Sequence, residues 1–178
     1  MSRTATCDRN TKETQIHIEL NIDGTGQYNI DTGVGFFDHM LEGFARHGLF
    51  DLTVKVKGDT QVDAHHTVED TGIVLGKAFL SALGDKAGIA RFGYFILPMD
   101  DALVLASLDF SGRMYFDFEA DLKAERLGTM ETEVVREFFM GLAGGVGMNL
   151  HIRQMAGENT KNFVEEFEDL RITTMLTG

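Results

Sequence analysis

The order of its elements repeats once along the chain, and this limits the available folds more than any other feature does. Thr14 to Leu20 alternates apolar and polar residues as a half-buried strand does. Asp23-Gly24-Thr25-Gly26 then reads as a turn, and Gln27 to Ile30 resumes an extended run. Phe36 to His47 sets Phe37, Met40, Leu41 and Phe44 at helical spacing, with Gly48 as the expected C-terminal cap. Phe50 to Lys57 alternates again. His65 to Leu83 predicts a long helix with Val68, Leu75, Phe79 and Ala82 on one apolar face, ended by Gly84. After a strand at Phe95 to Leu97, the second half follows the same order. It has a strand at Leu103 to Phe110, a Ser111-Gly112 turn, a strand at Tyr115 to Phe118 and a helix over Thr132 to Leu142. A strand at Met148 to Gln154 and a helix from Lys161 onward complete it. The spacing agrees in detail: His39 precedes Leu52 by 13 residues, and Glu137 precedes Leu150 by 13.

An internal duplication accounts for this pattern, with repeats at about 10–90 and 95–175. It predicts an α+β fold, an α/β sandwich of two β-β-α-β-α halves with sheets on one side and helices on the other. The alternative is two unrelated stretches that share a common α/β rhythm. Residues 1–178 read as a single domain, because the chain has one proline, Pro98, and no Gly/Ser-rich linker. A chain of 178 residues, 43% of them apolar, is long enough to bury a sizeable core. No stretch approaches the roughly 18 apolar residues of a membrane span. The first residues lack the apolar core of a signal peptide, and the single cysteine, Cys7, cannot form an internal disulfide. A cytoplasmic setting is the expectation. The net charge of −12 argues against nucleic acid or an anionic membrane as partner. An anionic small substrate would need a local cluster of arginines or lysines working against that field.

The strongest chemical signal is Asp63-Ala64-His65-His66-Thr67-Val68-Glu69-Asp70. On a helix, separations of three and four residues bring side chains to one face, so His65 and His66 both neighbour Glu69. Two imidazoles and a carboxylate suit Mn, Fe, Zn or similar divalent ions. Adjacent histidines point in different directions, so each can serve a different metal, and Asp63 or Asp70 can orient an imidazole through its second nitrogen. The competing reading is a helix start, with Asp63 as N-cap and acidic residues in the first turn; it does not account for the paired histidines. His39, in Phe36-Phe37-Asp38-His39-Met40-Leu41, is a second candidate, although a lone helical histidine is more often structural.

These motifs belong to a longer ordered set. It comprises Arg9-Asn10-Thr11-Lys12-Glu13-Thr14, Thr32-Gly33-Val34-Gly35-Phe36-Phe37-Asp38-His39, Arg46-His47-Gly48-Leu49-Phe50-Asp51-Leu52, Gly58-Asp59 and His65-His66-Thr67-Val68-Glu69-Asp70-Thr71-Gly72. Ala82-Leu83-Gly84-Asp85-Lys86-Ala87-Gly88-Ile89, Arg91-Phe92-Gly93, Pro98-Met99-Asp100, Asp109-Phe110-Ser111-Gly112-Arg113 and Leu150-His151-Ile152 continue it. Through nearly its whole length the chain resembles the imidazoleglycerol-phosphate dehydratases. The resemblance implies a ribosomal protein S5 domain 2-like fold. It also implies a carbon–oxygen lyase of histidine biosynthesis that uses two Mn(II) ions to remove water from imidazole glycerol phosphate, a small phosphorylated imidazole. In the chemistry that this resemblance implies, metal bound to the substrate imidazole would stabilise its imidazolate form and so help the hydroxyl to leave. Carried over by position, Glu13 would be the acid/base. His39, His65, His66, Glu69, Glu137 and Glu165 would be metal ligands, and Arg91 and Arg113 would hold the phosphate. His47 would join Glu13, His39, His65, His66 and Glu69 around the substrate. His151 would be a strand histidine beside the site. The family also implies trimers assembled into a 24-subunit shell, with metal sites completed between subunits.

The match to the family pattern breaks after Thr160. The family carries a second HHxxE there, but Lys161 and Asn162 replace both histidines and only Glu165 keeps its place. Glu168, Asp169 and Leu170 stand where the family has Phe-Lys-Ala, and its C-terminal Ser-Ser-Lys motif has no counterpart in these 178 residues. Two functions therefore stand as expectations: the metal-dependent lyase, or a catalytically impaired relative that keeps the fold.

Overall fold

The computed structural model describes residues 3–169, so Leu170 and the end of the expected second repeat lie outside the described residues. The first half runs β1 (Thr4–Asn10), β2 (Thr14–Asn21), β3 (Tyr28–Asp31), α1 (Gly35–Gly48), β4 (Asp51–Gly58) and α2 (His65–Leu83). The second runs β5 (Phe92–Met99), β6 (Ala102–Asp109), β7 (Tyr115–Glu119), a small hairpin of β8 (Arg126–Leu127) and β9 (Met130–Glu131), α3 (Val134–Val146), β10 (Asn149–Ala156) and α4 (Thr160–Glu165). A 3₁₀ turn at Glu166–Asp169 follows.

Two four-stranded sheets result, in the orders β1-β2-β4-β3 and β5-β6-β10-β7. In each, the strand before the first helix lies parallel to the strand after it, and the other pairings are antiparallel. The halves thus share one topology, and each opens with an edge strand in addition to the expected β-β-α-β-α order. β1 escaped the sequence reading because Thr4-Ala5-Thr6-Cys7-Asp8-Arg9-Asn10 has almost no apolar alternation; its residues are all exposed or half-buried.

Each sheet buries one face. Thr14, Ile16, Ile18 and Leu20 of β2 point inward, as do Ala102, Val104, Ala106 and Leu108 of β6. α1 and α2 cover the first sheet, α3 and α4 lie on the second, and α2 packs on α3. The helices therefore lie between the sheets, and the expectation of sheets on one side and helices on the other is corrected. Two separate apolar sheet faces each need a helical cover, and the helices bury their remaining apolar surface on one another.

The contact between α2 and α3 is a meeting of backbones. A Cβ on Gly72 would lie 2.4 Å from the Phe138 carbonyl oxygen, and one on Gly76 would lie 2.5 Å from that of Leu142. From the other side, a Cβ on Gly145 would lie 2.5 Å from the Ile73 carbonyl oxygen. No side chain fits at any of the three.

The end of α1 departs from the expected glycine cap. Gly48 is the last helical residue, and Leu49 takes the left-handed conformation with φ 58°. Glycine is needed at 48 for space, because a Cβ there would lie 2.5 Å from the Phe50 ring. That ring packs edge-on against Phe79 at 5.2 Å between centroids.

Replacing Gly76 by alanine should destabilise the fold by about 3 kcal/mol, the upper end of the usual overpacking cost, because the methyl group would meet rigid backbone. Urea unfolding followed by circular dichroism measures it, and an unchanged midpoint would show that the helices separate freely.

Candidate functional site

α2 starts where the paired histidines stand. Ala64 occupies the N-cap position, and Asp63, expected there, sits one residue earlier and accepts the His65 N–H at 2.9 Å. Gly58, the last residue of β4, passes so close to α2 that a Cβ would lie 2.1 Å from the Thr67 hydroxyl oxygen. This crossing brings the following residue, Asp59, to the His66 ring.

The two imidazoles turn apart, their planes at 89° and centroids 5.9 Å apart. His65 Nε2 lies 3.3 Å from Glu69 Oε2, one helical turn on. His66 Nδ1 lies 3.0 Å from Asp59 Oδ2. The imidazole-orienting carboxylate is therefore Asp59, in place of the expected Asp63 or Asp70. The other Asp59 oxygen, Oδ1, is buried with no hydrogen-bond partner among the described residues. The hydrogen bond to Asp59 raises the His66 pKa above the ordinary imidazole value. The charges of Asp59, Asp63 and Glu13 add to it, against a smaller loss from desolvation. The protonated ring is thus favoured, a contribution present at low pH and lost as pH rises through the raised value.

Asp70 has a different task. It is buried, accepts the Thr14 hydroxyl at 2.5 Å and pairs with Arg9. Thr11 completes this joint, its hydroxyl accepting the N–H groups of Glu13 at 3.2 Å and Thr14 at 3.0 Å. The result fastens the β1–β2 turn to α2 and holds Glu13 within electrostatic reach of His66.

His39 stands in the first turns of α1, where Asp38 fixes the helix start by accepting the Thr32 N–H at 2.8 Å. His39 Nε2 is 3.9 Å from Glu165 Oε1, and Lys161 Nζ is 3.3 Å from the same oxygen. His47 lies eight residues along α1, about 12 Å from His39 along the axis. Glu137 accepts from Arg136 at 3.2 Å. His151 stacks on Tyr115, with centroids 5.4 Å apart, and its Nδ1 is 3.4 Å from Asp117.

The arginines form a separate group. Arg91 grips Asp109 through two bonds of 2.6 and 3.0 Å. That hydrogen bonding lowers the Asp109 pKa, helped by the charges of Arg91, Arg113 and Lys86. Three cations thus surround one carboxylate, a local positive patch on an acidic protein. Lys86 follows the C-terminal end of α2, whereas His65 and His66 begin it. A helix of 19 residues spans roughly 28 Å.

Comparison with known proteins settles the relationship. A model of the imidazoleglycerol-phosphate dehydratase family matches residues 32–168. The chain belongs to the imidazoleglycerol-phosphate dehydratase family. It is 59% identical over 165 residues to the dehydratase of Lachnoclostridium phytofermentans, covering 93% of this chain and 84% of that one. It is 57% identical over 165 residues to that of Acetivibrio thermocellus, covering 93% and 85%. The crystal structure of the Staphylococcus aureus dehydratase superposes with a TM-score of 0.88 at 34% identity, covering 98% of this chain and 99% of that one. The Pyrococcus furiosus enzyme, solved in complex with (S)-C348, gives 0.82 at 36% identity, covering 96% and 93%. Imidazoleglycerol-phosphate dehydratases are hydro-lyases of histidine biosynthesis, and the α+β sandwich found here is their fold.

Four side chains that shape the site have roles that their sequence motifs do not announce. Asp59 stands in the sequence only as part of Gly58-Asp59, and its signal is its place between a strand and the paired histidines. Arg9 and Asp70 are far apart in sequence, and only the fold shows that they pair. Lys86 likewise joins the arginine patch through a loop. Among the described residues no three His, Cys, Asp or Glu side chains converge to hold a metal. The donors come as pairs: His65 with Glu69, His66 with Asp59, and His39 with Glu165. No helix among the described residues is long and apolar enough to cross a membrane.

Asp59→Asn should lower the His66 titration midpoint in the metal-free protein toward the ordinary value of about 6.5. NMR of the imidazole ring protons measures it; an unmoved midpoint would mean that Asp59 does not hold the ring.

Proposed function

We propose that the chain dehydrates imidazole glycerol phosphate to imidazole acetol phosphate with Mn(II) held at the start of α2. The observation that carries this reading is the joint there: two imidazoles turned apart, Glu69 and Asp59 beside them, and Glu13 fastened nearby through Thr14 and Asp70. The donor set is right for a divalent ion of the first transition row. The orphaned Asp59 oxygen and the carboxylates of Asp59, Asp63 and Glu13 near His66 favour a cation. His65 with Glu69 and, on the other side, His66 would each contribute to a metal completed by further donors, and the metal, when bound, would supply Lewis acidity toward the substrate imidazole.

The chain's own residues do the rest. Glu13 takes the proton from the substrate carbon and returns it to the departing hydroxyl, which leaves as water, and the resulting enol becomes the ketone of the product. Asp59 keeps the His66 ring in one orientation. Arg91 and Arg113, with Lys86, bind the phosphate, Arg91 exchanging Asp109 for the phosphoryl oxygens. One chain sets the histidines and the arginines at opposite ends of α2 and brings its donors together only in pairs. A complete site then needs donors from another copy, in trimers that build a 24-subunit shell. Phe92, Tyr94 and Ile96, exposed on β5, offer apolar surface for such contacts. His39 and Glu137 complete metal coordination, and His47 meets substrate, only across such an interface. The reaction is placed in the cytoplasm.

A second reading, a catalytically impaired relative that keeps the fold, is favoured by Lys161 standing beside Glu165. Purified protein supplied with Mn(II) should convert imidazole glycerol phosphate, and Glu13→Gln should slow turnover at least 100-fold with little change in KM. No turnover from well-folded wild type would leave the impaired relative. In analytical ultracentrifugation the protein should sediment as an oligomer, and a monomer with full turnover would sink the shared site.

A further inference from the structure

We infer that the Lys161 ammonium takes the place of a divalent cation at Glu165, so that this carboxylate of the second half holds no metal. The inference rests on the reading of α2 as a metal-binding element, and it concerns the other half of the chain.

Lys161 and Glu165 face each other one helical turn apart on α4, with Nζ 3.3 Å from Oε1. Glu165 is largely covered, its side chain 17% exposed, and the same oxygen is the one that approaches His39 at 3.9 Å. The carboxylate that would receive a metal thus already has a cation on it. An ammonium has three donors and no lone pair, so it cannot be a ligand. A divalent ion bound to Glu165 would lie within a few ångström of this positive charge, where repulsion cancels much of the attraction of the one carboxylate.

Asn162 is committed elsewhere. It is buried, and its side-chain nitrogen donates to Asp100 Oδ2 at 3.1 Å. Asp101 of the same turn accepts the N–H groups of Glu158 at 2.8 Å and Asn159 at 3.2 Å. Asn159 in turn caps α4, its side chain accepting from the N–H groups of Lys161 at 3.0 Å and Asn162 at 3.2 Å. Asn162 is therefore part of the joint between the β5–β6 turn and the start of α4.

The two halves differ in electrostatic sign. Around His66 the strongest charge influences come from carboxylates, those of Asp59, Asp63 and Glu13, with Asp59 Oδ2 in direct contact at 3.0 Å. Beside Glu165, among the described residues, stands the Lys161 ammonium at 3.3 Å. A cation is attracted to the first place and already supplied at the second.

Mn(II) binding to the full-length protein by isothermal titration calorimetry, with free Mn(II) followed by electron paramagnetic resonance, tests this directly. In wild type, Glu165→Gln should leave the Mn(II) isotherm unchanged, whereas His66→Ala should weaken it. Lys161→Ala should add a binding event or tighten one by about tenfold, the size expected for removing one screened charge beside the ion. That gain should vanish in Lys161→Ala/Glu165→Gln. Lys161→Met, which keeps the apolar stem, should reproduce the gain and excludes a packing effect. Loss of wild-type Mn(II) binding on Glu165→Gln would overturn the inference, as would a Lys161→Ala isotherm identical to wild type. If wild type binds no Mn(II) but Lys161→Ala gains a Glu165-dependent event, the inference stands and the metal assignment at α2 falls.

Discussion

The two halves of the molecule are joined where α2 and α3 touch backbone to backbone. Gly72 and Gly76 on one helix meet Gly141 and Gly145 on the other, each in a space that a methyl group would overfill. Such close approach sets the separation and the crossing of the helices together, because neither can shift without opening a void or forcing a clash. Everything chemical hangs on that alignment. α2 carries the paired histidines at its start, α3 carries Glu137 on its first turns, and each backs its own sheet.

Around this axis the fold uses polar joints to place loops that have little apolar surface of their own. The buried Asp70 with Arg9 and Thr14 ties the Glu13 turn to α2, and the exposed Asp101 with Glu158 and Asn159, beside Asn162 on Asp100, ties the start of α4 to the β5–β6 turn. Both put a carboxylate under several donors, and at Asp70 this makes burial of the charge tolerable. The two halves thus use similar means at corresponding ends. In the first, imidazoles remain available beside the joint. In the second, an amide belongs to the joint itself and a lysine neutralises the remaining carboxylate.

The periodicities of the chain announced much of the architecture. α2 lies at His65–Leu83 as its apolar spacing indicates, with Val68, Leu75, Phe79 and Ala82 all buried. The second-half elements follow in the expected order. β1 was illegible because an edge strand of polar residues has no alternation to read. The cap of α1 was misread because Gly48 serves space and Leu49 absorbs the left-handed turn. His65, His66 and Glu69 stood out as a metal-ligand pattern, while Asp59 did not, since nothing in a Gly-Asp pair says which ring it will meet.

What the sequence by itself determined is local in origin: the helix and strand periods, the cluster of imidazoles and carboxylates, the family, and the replacement of two histidines by Lys161 and Asn162. These follow from residue types at fixed spacing along one chain, where the geometry of a helix or strand is already known. The tertiary structure alone decided that the helices lie between the sheets, that Asp59 and not Asp70 holds an imidazole, and that the histidines and arginines sit at opposite ends of α2. Those outcomes depend on contacts between different elements, seven residues apart for Asp59 and His66 and tens apart for Asp70 and Thr14, and such contacts are set by how the elements pack.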